Sequence, residues 1–193
     1  MKIIGVGCGP GMLTEQAIHE ISRATIIFGS DRAIELAKTH IPLNCLVKTI
    51  DDFKNLNTVA KDAIVLSTGD PMLAGLGYLS GEVIPGISSL QVATARLHIP
   101  VSQVSVVVAH GKGHKKGIEE TVEEVKRGKI VFLLADPKFN VYELYAMLET
   151  LAPPVRIALC ENLGYPAEHI LIQDIRSPPQ PTEALYSLVI GNF

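Results

Sequence analysis

Three short turns carry the residues best suited to hold a polar ligand. They are Gly5-Val6-Gly7-Cys8-Gly9-Pro10-Gly11, Ser67-Thr68-Gly69-Asp70-Pro71-Met72 and Ile84-Pro85-Gly86-Ile87-Ser88-Ser89. Each follows a short apolar run that reads as a strand, and each precedes a helical pattern. Glycines let the backbone turn tightly and come close to a ligand. The Asp70 carboxylate could accept hydrogen bonds from a ribose or an amino group; its plainer role is to cap the helix that Pro71 starts. Ser88 and Ser89 offer hydroxyls and free N–H groups at a helix start, and either also suits a simple cap. In an open α/β sheet such strand ends border one crevice, so the turns mean more together than singly.

The first turn resembles a dinucleotide fingerprint but fails it. A G-x-G-x-x-G run from Gly5 requires glycine where Pro10 stands, and one from Gly7 requires glycine where Met12 stands. Pro10 also removes an N–H that a pyrophosphate would use. Asp31 lies about where a ribose-binding acid would be expected, which keeps a nicotinamide-dependent oxidoreductase open as an alternative.

The one concentrated basic stretch is His110-Gly111-Lys112-Gly113-His114-Lys115-Lys116-Gly117. His110, Lys112 and Lys115 suit the carboxylates of an acidic substrate, although a solvated loop has the same composition. No metal is expected there, because His110 and His114 have no third ligand. Arg32 and Arg96 are further candidate anchors. Cys8, Cys45 and Cys160 lie far apart without a C-x-x-C pair, which suits reduced thiols in a cytoplasm.

Elements of two kinds must position these residues. The chain has 193 residues, 47% of them hydrophobic and 19% charged, with a net charge of −3. That supplies a core, excludes disorder, and gives no global field for nucleic acid. No apolar run reaches the ~18 residues of a membrane span, and Met1-Lys2-Ile3-Ile4 runs straight into the first turn without a signal segment. Residues 2–6, 25–28, 45–47, 63–67 and 82–84 read as strands, alternating with helices over 13–21, 33–38 (capped by Asp31) and 89–97. After His98-Ile99-Pro100 a second block begins. It has strands over 104–109 and 129–134, helices over 118–126 and 140–151, and strands over 156–160, 169–173 and 187–190. The last three strands suggest antiparallel pairing. Two α/β domains follow, 1–100 and 101–193.

The G-x-G-P-G run, the Gly69-Asp70-Pro71 turn and the Pro85-Gly86-x-Ser88-Ser89 turn together resemble the tetrapyrrole (corrin and porphyrin) methylases, a family that includes the diphthine synthases. Val131 to Leu134, Cys160-Glu161-Asn162-Leu163-Gly164-Tyr165-Pro166 and Ser187 to Gly191 continue the likeness in the same order. The resemblance implies S-adenosyl-L-methionine in a cleft between two α/β domains, and commonly a homodimer. It implies cofactor contacts from Pro10, Gly69, Asp70, Leu73, Ser88 and Ser89, with Leu134 and Leu163 from the second domain. Glu161 to Pro166 and His110-Gly111-Lys112 look most like the branch that methylates ring carbon 5 of a corrin precursor in cobalamin synthesis. No general base stands out, so catalysis is expected to rest on orientation and desolvation. A separate chain is expected for any neighbouring C15 methylation and decarboxylation. The alternatives are another tetrapyrrole methylase, a diphthine-type methyltransferase, the oxidoreductase above, and a ligand-sensing module without catalysis.

Overall fold

The computed structural model describes residues 1–50, 62–109, 113–151 and 153–193. Its contacts divide the chain into two compact units, Met1–Ser89 and Leu90–Phe193. The sequence reading places the division at residue 100; here it follows Ser89, so the helix over 89–97 falls, after its first residue, with the second unit.

The first unit is built on a parallel sheet. Its strands are β1 (Lys2–Gly5), β2 (Ile26–Gly29), β3 (Leu46–Thr49), β4 (Ile64–Ser67) and β5 (Glu82–Ile84), in the order β3-β2-β4-β1-β5. The central strands are apolar throughout because both faces are covered. Ile4, Val6, Ile27 and Leu66 bury one face with the helices α1 (Glu15–Ile21) and α2 (Asp31–Ala37). Ile3, Phe28, Val65 and Leu79 bury the other.

Caps fix where the helices begin. α1 starts at Glu15 rather than Leu13, because the Thr14 hydroxyl accepts the Ala17 N–H at 3.1 Å. In α2 the cap is Ser30, whose hydroxyl accepts the Ala33 N–H at 3.3 Å. Asp31, expected as the cap, lies instead in the first turn and accepts the Thr49 hydroxyl at 3.1 Å. A one-residue shift of this kind is invisible in Ser30-Asp31, since either side chain can cap.

The second unit holds α4 (Ser89–Leu97), after the short α3 (Pro71–Ala74) of the first. It continues with β6 (Val104–Ala109), α5 (His114–Lys126), β7 (Ile130–Ala135), α6 (Val141–Glu149), β8 (Arg156–Glu161), β9 (His169–Asp174) and β10 (Tyr186–Gly191). The sheet order is β6-β7-β10-β8-β9. β6 and β7 are parallel, and every other pairing is antiparallel. Leu133, Ile157, Leu159, Leu188 and Ile190 pack with Ile118 and Val122 of α5 and Leu144 and Leu148 of α6 in one core. α5 begins at His114, ahead of the expected Ile118, so part of the basic stretch is helical. Among the described residues no helix is long and apolar enough to cross a membrane.

Candidate functional site

β4, β1 and β5 are neighbours, so their carboxyl ends deliver the three turns side by side. The turns then bond to one another through the backbone. The Gly69 N–H donates to the Gly7 carbonyl at 2.8 Å, and the Gly7 N–H returns a bond to the Gly69 carbonyl at 3.3 Å. The Cys8 N–H donates to the Ile87 carbonyl at 3.0 Å. Asp70 ties the second turn to the third: Oδ1 accepts the Met72 N–H at 2.8 Å and Oδ2 the Gly86 N–H at 3.0 Å. The capping role is therefore present, and the second oxygen adds a cross-link that a cap alone does not need.

Two glycines permit this approach. A Cβ on Gly86 would lie 2.8 Å from both the Cα and the carbonyl carbon of Gly5, and closer still to the Gly69 carbonyl oxygen. Gly69 has φ 66°, a backbone that side chains rarely adopt. Around this knot Pro10 is exposed, Leu73 and Ser89 are half-buried, and Ser88 is buried. Arg32, a candidate substrate anchor, instead donates from Nη2 to the Cys8 carbonyl at 2.9 Å and braces the first turn.

In the second unit Leu134 is half-buried near the end of β7, and Leu163 is buried in the loop after β8. Lys115 is exposed in the first turn of α5. His110 and Lys112 lie outside the described residues. His114 pairs through Nε2 with Asp136 Oδ2 at 2.8 Å and sets its ring edge-on to Phe139, with 5.6 Å between centroids. Asp136 also accepts the Lys138 N–H at 2.8 Å. The sequence reading missed this pair. Asp136-Pro137 after a strand repeats the pattern of Asp70-Pro71, and that signal would have found it.

Two carboxylates, Glu161 buried and Glu168 half-buried, shape the loops of this unit. Glu161 accepts the Thr182 and Glu183 N–H groups at 2.6 and 2.9 Å, and the Thr182 hydroxyl at 3.2 Å. Burial pushes its pKa up, but these donors outweigh burial and hold it below the usual carboxylate value. Glu168 behaves alike: burial raises it, while Arg96 and the Gly164 N–H lower it further. Arg96, the other candidate anchor, is thus engaged with Glu168. Burial pushes the Cys160 thiol up to about 12. Among the described residues no group of His, Cys, Asp and Glu is arranged to hold a metal.

A family model described as tetrapyrrole (corrin/porphyrin) methylases matches residues 2–179. The chain belongs to that family and is a methyltransferase. Among its relatives is a probable cobalt-precorrin-7 C(5)-methyltransferase of Methanocaldococcus jannaschii, 30% identical over 190 residues, covering 89% of this chain and 88% of the relative. A precorrin-6Y C(5,15)-methyltransferase [decarboxylating] of Mycobacterium tuberculosis is 26% identical over 180 residues, which cover 86% of this chain and 44% of the relative. The crystal structure of a cobalamin biosynthesis precorrin-6Y methylase from Archaeoglobus fulgidus superposes with a TM-score of 0.75 at 29% identity, covering 100% of this chain and 97% of that one.

Proposed function

We propose that this chain transfers a methyl group from S-adenosyl-L-methionine to ring carbon 5 of a corrin precursor, cobalt-precorrin-7 or precorrin-7, in cobalamin biosynthesis. The observation that carries the reading is the knot of turns at the ends of β1, β4 and β5, in a chain with a relative named as a probable cobalt-precorrin-7 C(5)-methyltransferase. Gly69 and Gly86 let the three turns pack backbone to backbone, and Asp70, half-buried, keeps lone pairs beyond its two backbone bonds for a ligand. Pro10, Gly69, Asp70, Leu73, Ser88 and Ser89 would hold the cofactor, and the family likeness adds Leu134 and Leu163.

When bound, the cofactor supplies a sulfonium methyl that is already activated. The chain's own residues have to bind, align and exclude water, which alone removes several kcal/mol of barrier. A turn cross-linked at its base cannot shift without breaking its neighbours, so its donors and acceptors are fixed before the ligand arrives. Lys115, exposed in the first turn of α5, would meet a substrate carboxylate. The reading includes a homodimer in the cytoplasm, with a separate chain for methylation and decarboxylation at C15.

Calorimetry with S-adenosylhomocysteine and NAD, followed by mass spectrometry of products from a panel of precorrins, tests the proposal. Low-micromolar or tighter binding of S-adenosylhomocysteine, no NAD binding and one added methyl on precorrin-7 are expected. NAD binding without S-adenosylhomocysteine binding would overturn it.

A further inference from the structure

Four strands end the two sheets, and three of them carry features that keep a strand edge from pairing with another chain. β5 is only three residues long and begins with Glu82. β3 carries Lys48, and β9 carries His169 and Asp174. β6 has no such protection. It reads Val104-Ser105-Val106-Val107-Val108-Ala109, six residues without a charge or a proline. Uncharged runs rich in β-branched residues are those that pair most readily edge to edge. Among the described residues β6 pairs with β7 alone, which leaves its other side without a strand.

The side chains of β6 agree with an edge that is covered. Val107 and Ala109 point into the core of the unit. Val106 and Val108, on the opposite face, are 39% and 42% exposed, and Val101, just before the strand, is 50% exposed. The Ser105 hydroxyl is already bonded to Glu124 Oε2 at 2.9 Å, so the strand offers a partner mainly backbone and valine.

The helix beside this edge says what the partner is. A Cβ on Gly117 would come 2.6 Å from the Ala109 Cβ, and Glu124 holds Ser105, so one flank of α5 lies along β6. Lys116, Glu120 and Glu124 recur on that flank at a spacing of four. Glu124 is also engaged with Arg127 at 2.6 Å, whereas Lys116 and Glu120 are exposed. The flank therefore runs from positive to negative along the helix. A second copy laid antiparallel reverses that order and sets each Lys116 toward the Glu120 of the other copy. A surface complementary to its own reverse suits a two-fold pairing of identical chains.

We propose that β6 is the dimer edge of this protein. It pairs antiparallel with β6 of a second copy, joins the two five-stranded sheets into one, and lays Val106 and Val108 of both copies on one face. This rests on the homodimer included in the reading above and assigns that homodimer its surface.

Sedimentation velocity on the whole chain tests the assignment. The wild type should run as a dimer at micromolar concentration. Val106→Lys places a charge on the open edge and should raise the dimer Kd at least about 100-fold, with the far-ultraviolet circular dichroism unchanged. Lys116→Glu and Glu120→Lys should each weaken self-association about tenfold, because like charges then meet across the axis. Mixed together, these two variants should form a heterodimer about as tight as the wild type, since one carries only negative charge at the two positions and the other only positive. An ion pair within a single helix gives no such rescue. A Val106→Lys chain that stays dimeric, or a mixture without rescue, would overturn the β6 surface and leave the homodimer to another face. A monomeric wild type would instead sink the homodimer itself, so the two failures are told apart.

Discussion

Gly86 shows how much of this site is backbone. Its missing side chain lets the third turn touch the second and the first, and Asp70 holds the contact from the other side. Gly86→Ala should cost about 1–3 kcal/mol of stability, as overpacking does elsewhere, and should weaken S-adenosylhomocysteine binding as the turns separate. Denaturant melts beside calorimetry check both parts. Thiols differ for a related reason. Cys8 and Cys160 are buried and Cys45 is half-buried. Alkylation of the native chain should mark Cys45 first, with Cys160, its thiol raised to about 12, reacting only on unfolding. Peptide mapping after brief iodoacetamide treatment reads this directly.

At the level of elements, the loops of the second unit are tuned by acid. Glu161 and Glu168 are both held below the usual carboxylate pKa in the folded state. A depressed carboxylate stabilises the fold fully above its unfolded value, and that stability is lost as pH falls through the folded value. Denaturant midpoints should therefore hold steady down to about pH 4.5 and fall below it. Glu161→Gln should start lower and fall less.

These two residues also mark where the sequence stopped being legible. The strands and most helices were readable, because apolar runs such as Ile64–Leu66 and glycine turns such as Gly5–Gly11 are local signals. The order of the last strands was readable only as antiparallel pairing. Nothing local to Glu168 points to Arg96, since the contact spans 72 positions and depends on the finished fold. Likewise Asp70 read as a cap because its neighbour Pro71 is visible, whereas its bond to Gly86 needs the sheet order. The start of α5 was missed because Gly113 and Gly117 bracket lysines that look like loop, and the packing that makes them helical comes from β6 and β7.

For the whole molecule, the two sheets differ in a way that reaches beyond ligand binding. In the first unit the strands join a sheet whose members all lie within Met1–Ser89. In the second, β10 is the last strand in chain order yet sits at the centre, between β7 and β8. Until residues 186–191 are available, β6-β7 and β8-β9 have no strand to join them, and the main core lacks Leu188 and Ile190. During synthesis the amino-terminal unit can settle early, while the other waits for the ribosome to release its keystone. Nascent chains arrested before Tyr186 should resist protease over Met1–Ser89 and be cut freely beyond it. The same chains extended past Gly191 and clear of the exit tunnel should resist throughout.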